Sequence, residues 1–104
     1  MVETSLPEEL LEAVKNYPGI DITWADDSVD VQLTGIINMG IKFLNGKAGG
    51  VLDYSLDEMP RQLLFEYCKY TRNGILYEFM TNLAPFLLDL KVGNGGAYGN
   101  NTDV

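Results

Sequence analysis

Asp26-Asp27-Ser28-Val29-Asp30-Val31-Gln32-Leu33-Thr34-Gly35-Ile36-Ile37-Asn38-Met39-Gly40-Ile41-Lys42-Phe43-Leu44 is the stretch on which the fold turns. Val29, Leu33, Ile36, Ile37, Ile41 and Leu44 recur at helical spacing, and Gly40 falls on the same face. Val31, Met39 and Phe43 lie off that stripe, so the helix is apolar on more than one side. Such a helix wants neighbours as well as its own core. These three residues, with Trp24 just upstream, are the candidates for a subunit interface. Asp26 or Asp27 is placed to cap the helix, and an Asp27 cap sets Asp30 at the third helical position, an acidic variant of the capping box. Gly35 and Gly40 each cost roughly 1 kcal/mol in a helix interior. The expected use of both is close approach by another helix.

Upstream, Leu6-Pro7-Glu8-Glu9-Leu10-Leu11 opens a short helix. Ser5 can cap it, Pro7 suits its first turn, and the acids there complement the helix dipole. Leu10, Leu11 and Val14 form its apolar stripe, and Tyr17-Pro18-Gly19 ends it. Ile20-Asp21-Ile22-Thr23-Trp24 alternates as an extended segment does, but is too short to establish a sheet.

Downstream, Asn45-Gly46-Lys47-Ala48-Gly49-Gly50 is expected to stop the long helix and form a flexible loop. Val51 to Leu56 fits no single element. Asp57 can cap the next helix, with Pro60 in its first turn. From there Leu64, Tyr67, Cys68, Thr71, Ile75, Phe79, Leu83, Phe86, Leu87 and Leu90 keep one apolar phase. Asn73-Gly74 interrupts the run, so two helices are expected, and Pro85 should bend the last. Ile75, Leu76, Phe79, Met80, Leu83, Phe86, Leu87 and Leu90 are the expected buried set of that final stretch. The segment Gly93-Asn94-Gly95-Gly96-Ala97-Tyr98-Gly99-Asn100-Asn101-Thr102-Asp103-Val104 is expected to be disordered in the free chain. The predicted fold is thus mainly α. It is a small bundle of about four helices over residues 1–92, with a glycine-rich loop and a flexible tail over 93–104.

Charge is distributed unevenly. The first 30 residues hold eight acids and one base, and the remainder holds seven acids and six bases, for a net charge of −8. That balance argues against gripping nucleic acid through its phosphates. With 104 residues and 46% hydrophobic composition, one folded domain is expected. No run approaches the roughly 20 apolar residues of a membrane span. Met1-Val2-Glu3-Thr4 has neither the basic residue nor the apolar stretch expected of a signal peptide. The one cysteine, Cys68, cannot form an internal disulfide, which fits a reducing compartment.

The chain has no histidine, the commonest general base and metal ligand. Asp26, Asp27 and Asp30 lack the alternating spacing and central glycine of a calcium loop. Gly46 to Gly50 includes Lys47 without a Walker pattern. Cys68 lies on an apolar face and reads as a core residue. Tyr67, Tyr70, Tyr77 and Phe79 sit among apolar residues with few bases, which favours packing over base stacking. No residue set is therefore assigned to catalysis, a metal or a cofactor, and the chain is not expected to be an enzyme.

Asp27-Ser28-Val29 resembles the Asp-Ser-Leu signature of acyl carrier proteins, which would make Ser28 a phosphopantetheine attachment site. A capped helix start accounts for the same residues. The front-loaded charge also suits an acidic DNA-mimic regulator, and capping again explains it.

The order of features resembles the head–tail connector (adaptor) family of tailed bacteriophages. The residues are Val14-Lys15-Asn16-Tyr17-Pro18-Gly19-Ile20-Asp21 after a short helix and the acidic pair Asp26-Asp27 opening a long one. Gly49-Gly50-Val51-Leu52-Asp53 follows, then a proline-started helix from Pro60 to Arg72 with Tyr67 and Tyr70, and a last aromatic segment from Tyr77-Glu78-Phe79. The resemblance spans roughly residues 8 to 90. It implies a structural virion protein that forms a ring of about a dozen copies. Such a ring docks on the portal, extends the DNA channel and carries the stopper or tail-completion protein. DNA passes through without sequence-specific binding and no membrane is involved. It places the protein at the head–tail junction of the virion, after assembly in the bacterial cytoplasm. Terminal segments of that family reach the portal, which assigns partner binding to the tail, with Gly93, Asn94, Tyr98, Asn100 and Val104 as contacts. A ring of acidic subunits would discourage DNA from sticking, within a screening length of about 8 Å.

Overall fold

The computed structural model describes residues 6–20 and 27–93. Ser5, Trp24, Asp26 and the segment Asn94 to Val104, with Tyr98 and Asn100, lie outside the described residues. Five α-helices are present among the described residues: α1 (Leu6–Lys15), α2 (Asp27–Ala48), α3 (Met59–Arg72), α4 (Phe79–Asn82) and α5 (Ala84–Gly93), with a 3-10 turn at Leu76–Glu78 before α4. No strand occurs among these residues.

The long pair α2 and α3 forms the centre. The α2 stripe is buried at Val29, Leu33, Ile37 and Leu44, while Ile36 and Ile41 are half-buried. On α3, Leu63, Leu64, Tyr67 and Cys68 are buried. The two helices meet at Gly40. A Cβ there would stand 2.8 Å from Leu64 Cδ1 and 2.9 Å from Tyr67 Cδ1, so no side chain fits without displacing the core. Gly35 differs from the expectation, because nothing lies within 4 Å of its Cβ position and no helix approaches it.

α1 covers one flank of this pair through Leu10 and Val14. Its Glu9 carboxylate accepts two hydrogen bonds from the Arg61 guanidinium, one of them 2.8 Å long. Arg61 also donates to the Tyr54 carbonyl at 3.0 Å and stacks 4.9 Å from the Phe65 ring centre. Where α1 ends, the Tyr17 hydroxyl donates to Glu66, accepts from Gln62, and its ring lies 5.3 Å from that of Phe65. Lys15 reaches across to Asp30 at 3.0 Å, fixing α1 against the start of α2.

The opposite flank is the C-terminal arm. α3 closes at Asn73, where Gly74 takes φ +74° and the Ile75 amide bonds back to the Tyr70 carbonyl at 3.0 Å. That is the glycine-stopped helix end the sequence predicts. Phe79 then inserts its ring edge-on among Phe43, Tyr67 and Tyr70, at centre distances of 5.9, 5.5 and 5.6 Å.

Several sequence expectations are corrected. The bundle has five α-helices rather than about four. Asn45 to Ala48 are helical, not loop; α2 stops only at Gly49, whose φ is +82°. The reason is Asn45, whose Oδ1 accepts from the Tyr54 hydroxyl at 2.8 Å and the Leu52 amide at 3.2 Å. That side chain ties the following loop to the last turn of the helix, and Leu52 and Tyr54 are buried there.

Asp27 is the first residue of α2 rather than the residue before it, and Asp57 does not cap α3. Glu58 precedes α3 and makes no side-chain cap bond. Pro60 accounts for this, since it removes one of the amides a cap would bond. Pro85 does not bend one continuous helix. The chain breaks at Leu83, and Pro85 sits in the first turn of α5, where a missing amide costs nothing. Gly93, assigned by sequence to the tail, closes α5. Met80 and Phe86, expected in the core, are 42% and 46% exposed; Met80 follows the inward-facing Phe79 on α4, and beyond it the break at Leu83 shifts the phase of the apolar face.

The Glu9–Arg61 pair predicts a pH effect. Hydrogen bonding from Arg61 holds the Glu9 carboxyl below its ordinary value of 4.5, outweighing burial, which pushes it up, and the Arg61 charge adds to the lowering. A depressed folded-state value means the contribution is complete above 4.5 and fades as pH falls through the folded value. Glu9 is 42% exposed, so screening reduces the pair to about 0.5–1 kcal/mol. Urea melts across that interval should show Glu9→Gln less stable than the parent at neutral pH, with the gap closing in acid.

Candidate functional site

The residues assigned to a subunit interface separate in the structure. Val31 is 72% exposed and Met39 56%, on the solvent side of α2, with Gly35 between them. Phe43 turns inward; its ring is half-buried against Tyr67, 5.6 Å away, with the Lys47 ammonium 5.4 Å from its centre. Its long side chain reaches the core from a position that periodicity puts off the stripe. Ser28, the carrier-type serine, is exposed in the first turn of α2.

The C-terminal arm brings together a surface that the sequence reading did not isolate. Two grooves run along its sides, the first apolar and the second mixed. The first, of about 280 Å³, lies against α3 and is lined by Met59, Gln62, Leu63, Glu66, Leu83 and Phe86. The second, of about 450 Å³, lies against the last turns of α2. Met80, Ala84, Leu87 and Leu88 form its apolar surface, and Lys47 and Lys91 flank it. Leu88 is 63% exposed and Tyr77, nearby in sequence, 76%.

Charges are unevenly used. Lys15 pairs with Asp30, Arg61 with Glu9 and Lys69 with Glu66. Lys42, Lys47 and Lys91 have no carboxylate partner among the described residues. Two of those three border the second groove. Nothing local in the sequence groups Lys47 with Lys91: they lie on different helices, and only the tertiary fold brings them to one place.

Cys68 is fully buried, and burial pushes its thiol up to about 12. A thiol held protonated and out of contact with solvent is inert. An aromatic disulfide reagent at about pH 8 should leave the native protein unmodified and label one thiol per chain once urea is added. Burial likewise pushes the phenols of Tyr17 and Tyr54 above their ordinary value, with the Glu66 carboxylate reinforcing the effect at Tyr17.

No group of three or more potential ligands among the described residues is placed to hold a metal ion. No helix among them is long and apolar enough to cross a membrane. Comparison with family models, with characterised proteins and with solved structures finds no match to this chain.

Proposed function

We propose that this chain is a structural subunit of a phage head–tail connector, a ring that docks on the portal, extends the DNA channel and seats the stopper or tail-completion protein. The observation that carries the reading is the position of the uncovered apolar side chains. The core is closed around α2 and α3, yet Val31 and Met39 on α2 and Met80, Phe86 and Leu88 on the C-terminal arm stay exposed. A ring subunit presents two unlike faces, because each copy meets its neighbours head to tail. The ordered set of sequence features from residue 8 to 90 supplies the rest of the support. In this reading the protein resides at the head–tail junction of the virion, and the segment from Gly93 to Val104 reaches towards the portal.

The direct test is light scattering and native mass spectrometry of the purified protein with and without portal. Portal-dependent assembly into a ring is expected. A protein that ignores the portal at every concentration overturns the proposal. Deleting Asn94 to Val104 should leave helical content intact by circular dichroism and weaken portal docking.

A further inference from the structure

We propose that Asn73 is a site of spontaneous covalent modification, where the Asn73-Gly74 bond converts to an isoaspartyl linkage and loosens the joint that carries the C-terminal arm. The connector reading is not needed for it, and water is the one co-reactant. The sequence holds three Asn-Gly pairs, at 45–46, 73–74 and 94–95. In such a pair the backbone nitrogen attacks the asparagine carboxamide with least hindrance, because glycine puts no Cβ in the way. The Gly74 nitrogen, giving its proton to solvent base, forms a bond to Cγ of Asn73. The Cγ–Nδ2 bond breaks and the nitrogen leaves as ammonia. Water then cleaves one of the two C–N bonds of the five-membered imide. Cleavage at the main-chain carbonyl leaves the chain running through Cγ as isoaspartate, and cleavage at Cγ leaves aspartate. No oxidant or reductant is consumed.

The structure separates two of these pairs, and the third, Asn94-Gly95, lies outside the described residues. Asn73 is exposed, and its carboxamide has no hydrogen-bond partner among the described residues. Asn45 has the same neighbour, but its Oδ1 is held by the Tyr54 hydroxyl and the Leu52 amide. Its carbonyl also accepts from the Gly49 and Gly50 amides, at 2.9 and 3.1 Å. Both glycines stand in open space, so the difference lies in the bonds to be broken. Ring closure at Asn73 requires rotation from its ψ of 1° until the Gly74 nitrogen faces Cγ. That releases the Gly74 amide from the Thr71 carbonyl, at 3.1 Å, and the Ile75 amide from the Tyr70 carbonyl. At Asn45 the same rotation unwinds the last turn of α2 and frees the buried Leu52 and Tyr54. Helix ends open far more often than turns held by buried side chains, so Asn73 is the reactive one of the two.

The consequence follows from where Asn73 sits. Isoaspartate adds a methylene to the backbone between α3 and Ile75. It also sets a carboxylate beside the last carbonyls of α3, where the helix dipole disfavours negative charge. The left-handed turn at Gly74 then no longer aligns Ile75 with Tyr70, and the link that leads to Phe79 is loosened.

Incubation of the full-length protein in mildly alkaline buffer, followed by tryptic peptide mapping, tests this. Lys42, Lys47, Arg72 and Lys91 put Asn45, Asn73 and Asn94 on separate peptides. The Asn73 peptide should gain the mass of amide-to-acid conversion and split into aspartyl and isoaspartyl forms, at least about tenfold faster than the Asn45 peptide. In urea the two should react at similar rates. In the isolated isoaspartyl fraction, amides from Leu76 to Gly93 should exchange with deuterium about tenfold faster than in fresh protein. Asn73→Gln, whose longer side chain closes the ring poorly, should show neither change on ageing. An Asn73 peptide that stays intact, equal rates at Asn45 and Asn73 in the native protein, or a difference that persists in urea overturns the proposal. So does an isoaspartyl fraction whose arm exchanges as fresh protein does.

Discussion

Phe79→Ala should destabilise the protein by about 3–5 kcal/mol, a large share of what a domain of this size possesses. Phe79 is 1% exposed and meets three aromatic rings, all edge-on. Two of those rings, Tyr67 and Tyr70, belong to α3, and the third, Phe43, to α2. The side chain therefore holds the C-terminal arm to both central helices at once. Truncation removes the transfer energy of the ring and leaves a cavity that three stiff aromatic neighbours cannot collapse to fill. Phe79→Leu keeps most of the volume and should cost roughly half as much. Urea unfolding followed by circular dichroism measures both. A loss below about 1 kcal/mol for the alanine variant would show that the arm is not part of the cooperative core.

Gly40→Val should cost about 3 kcal/mol or more, whereas Gly35→Ala should stabilise by up to about 1 kcal/mol. Both glycines are interior positions of α2, and helix propensity alone favours replacing either. Surroundings decide the sign. At Gly40 the first added atom already meets Leu64 and Tyr67, both buried, and a branched side chain adds two more. At Gly35 the added methyl enters open space. Thermal melts of the two variants side by side make the comparison, and equal shifts would mean that α2 and α3 do not approach as described.

The helical content of this chain is written locally, and so is much of its core. The stripe Val29, Leu33, Ile37 and Leu44 buries as its spacing predicts, and Asn73-Gly74 breaks the chain because a left-handed glycine closes α3. What was not legible depends on residues far apart. Gly46 signals a loop, but Tyr54, nine residues beyond Asn45, holds the helix together past that point. The Arg61–Glu9 pair spans 52 residues, and nothing in the neighbourhood of either residue announces it. Phe86 reads as core because periodicity assumes an unbroken axis, and the axis breaks at Leu83. For the candidate site, the exposure of Val31 and Met39 could be read from their positions off the stripe. The grouping of Lys47 with Lys91 could not, because they lie on different helices. Trp24 and the tail residues Asn94, Tyr98, Asn100 and Val104 fall outside the described residues.

The contact at Gly40 also bears on how this sequence can change over time. With two buried side chains against its α-carbon, position 40 admits no substitute unless Leu64 or Tyr67 shrinks in the same lineage. Position 35, one and a half turns earlier on the same helix, is under no such restriction. Descendants of a common ancestor should therefore drift freely at 35 while 40 stays fixed, or moves only in step with its two partners on α3.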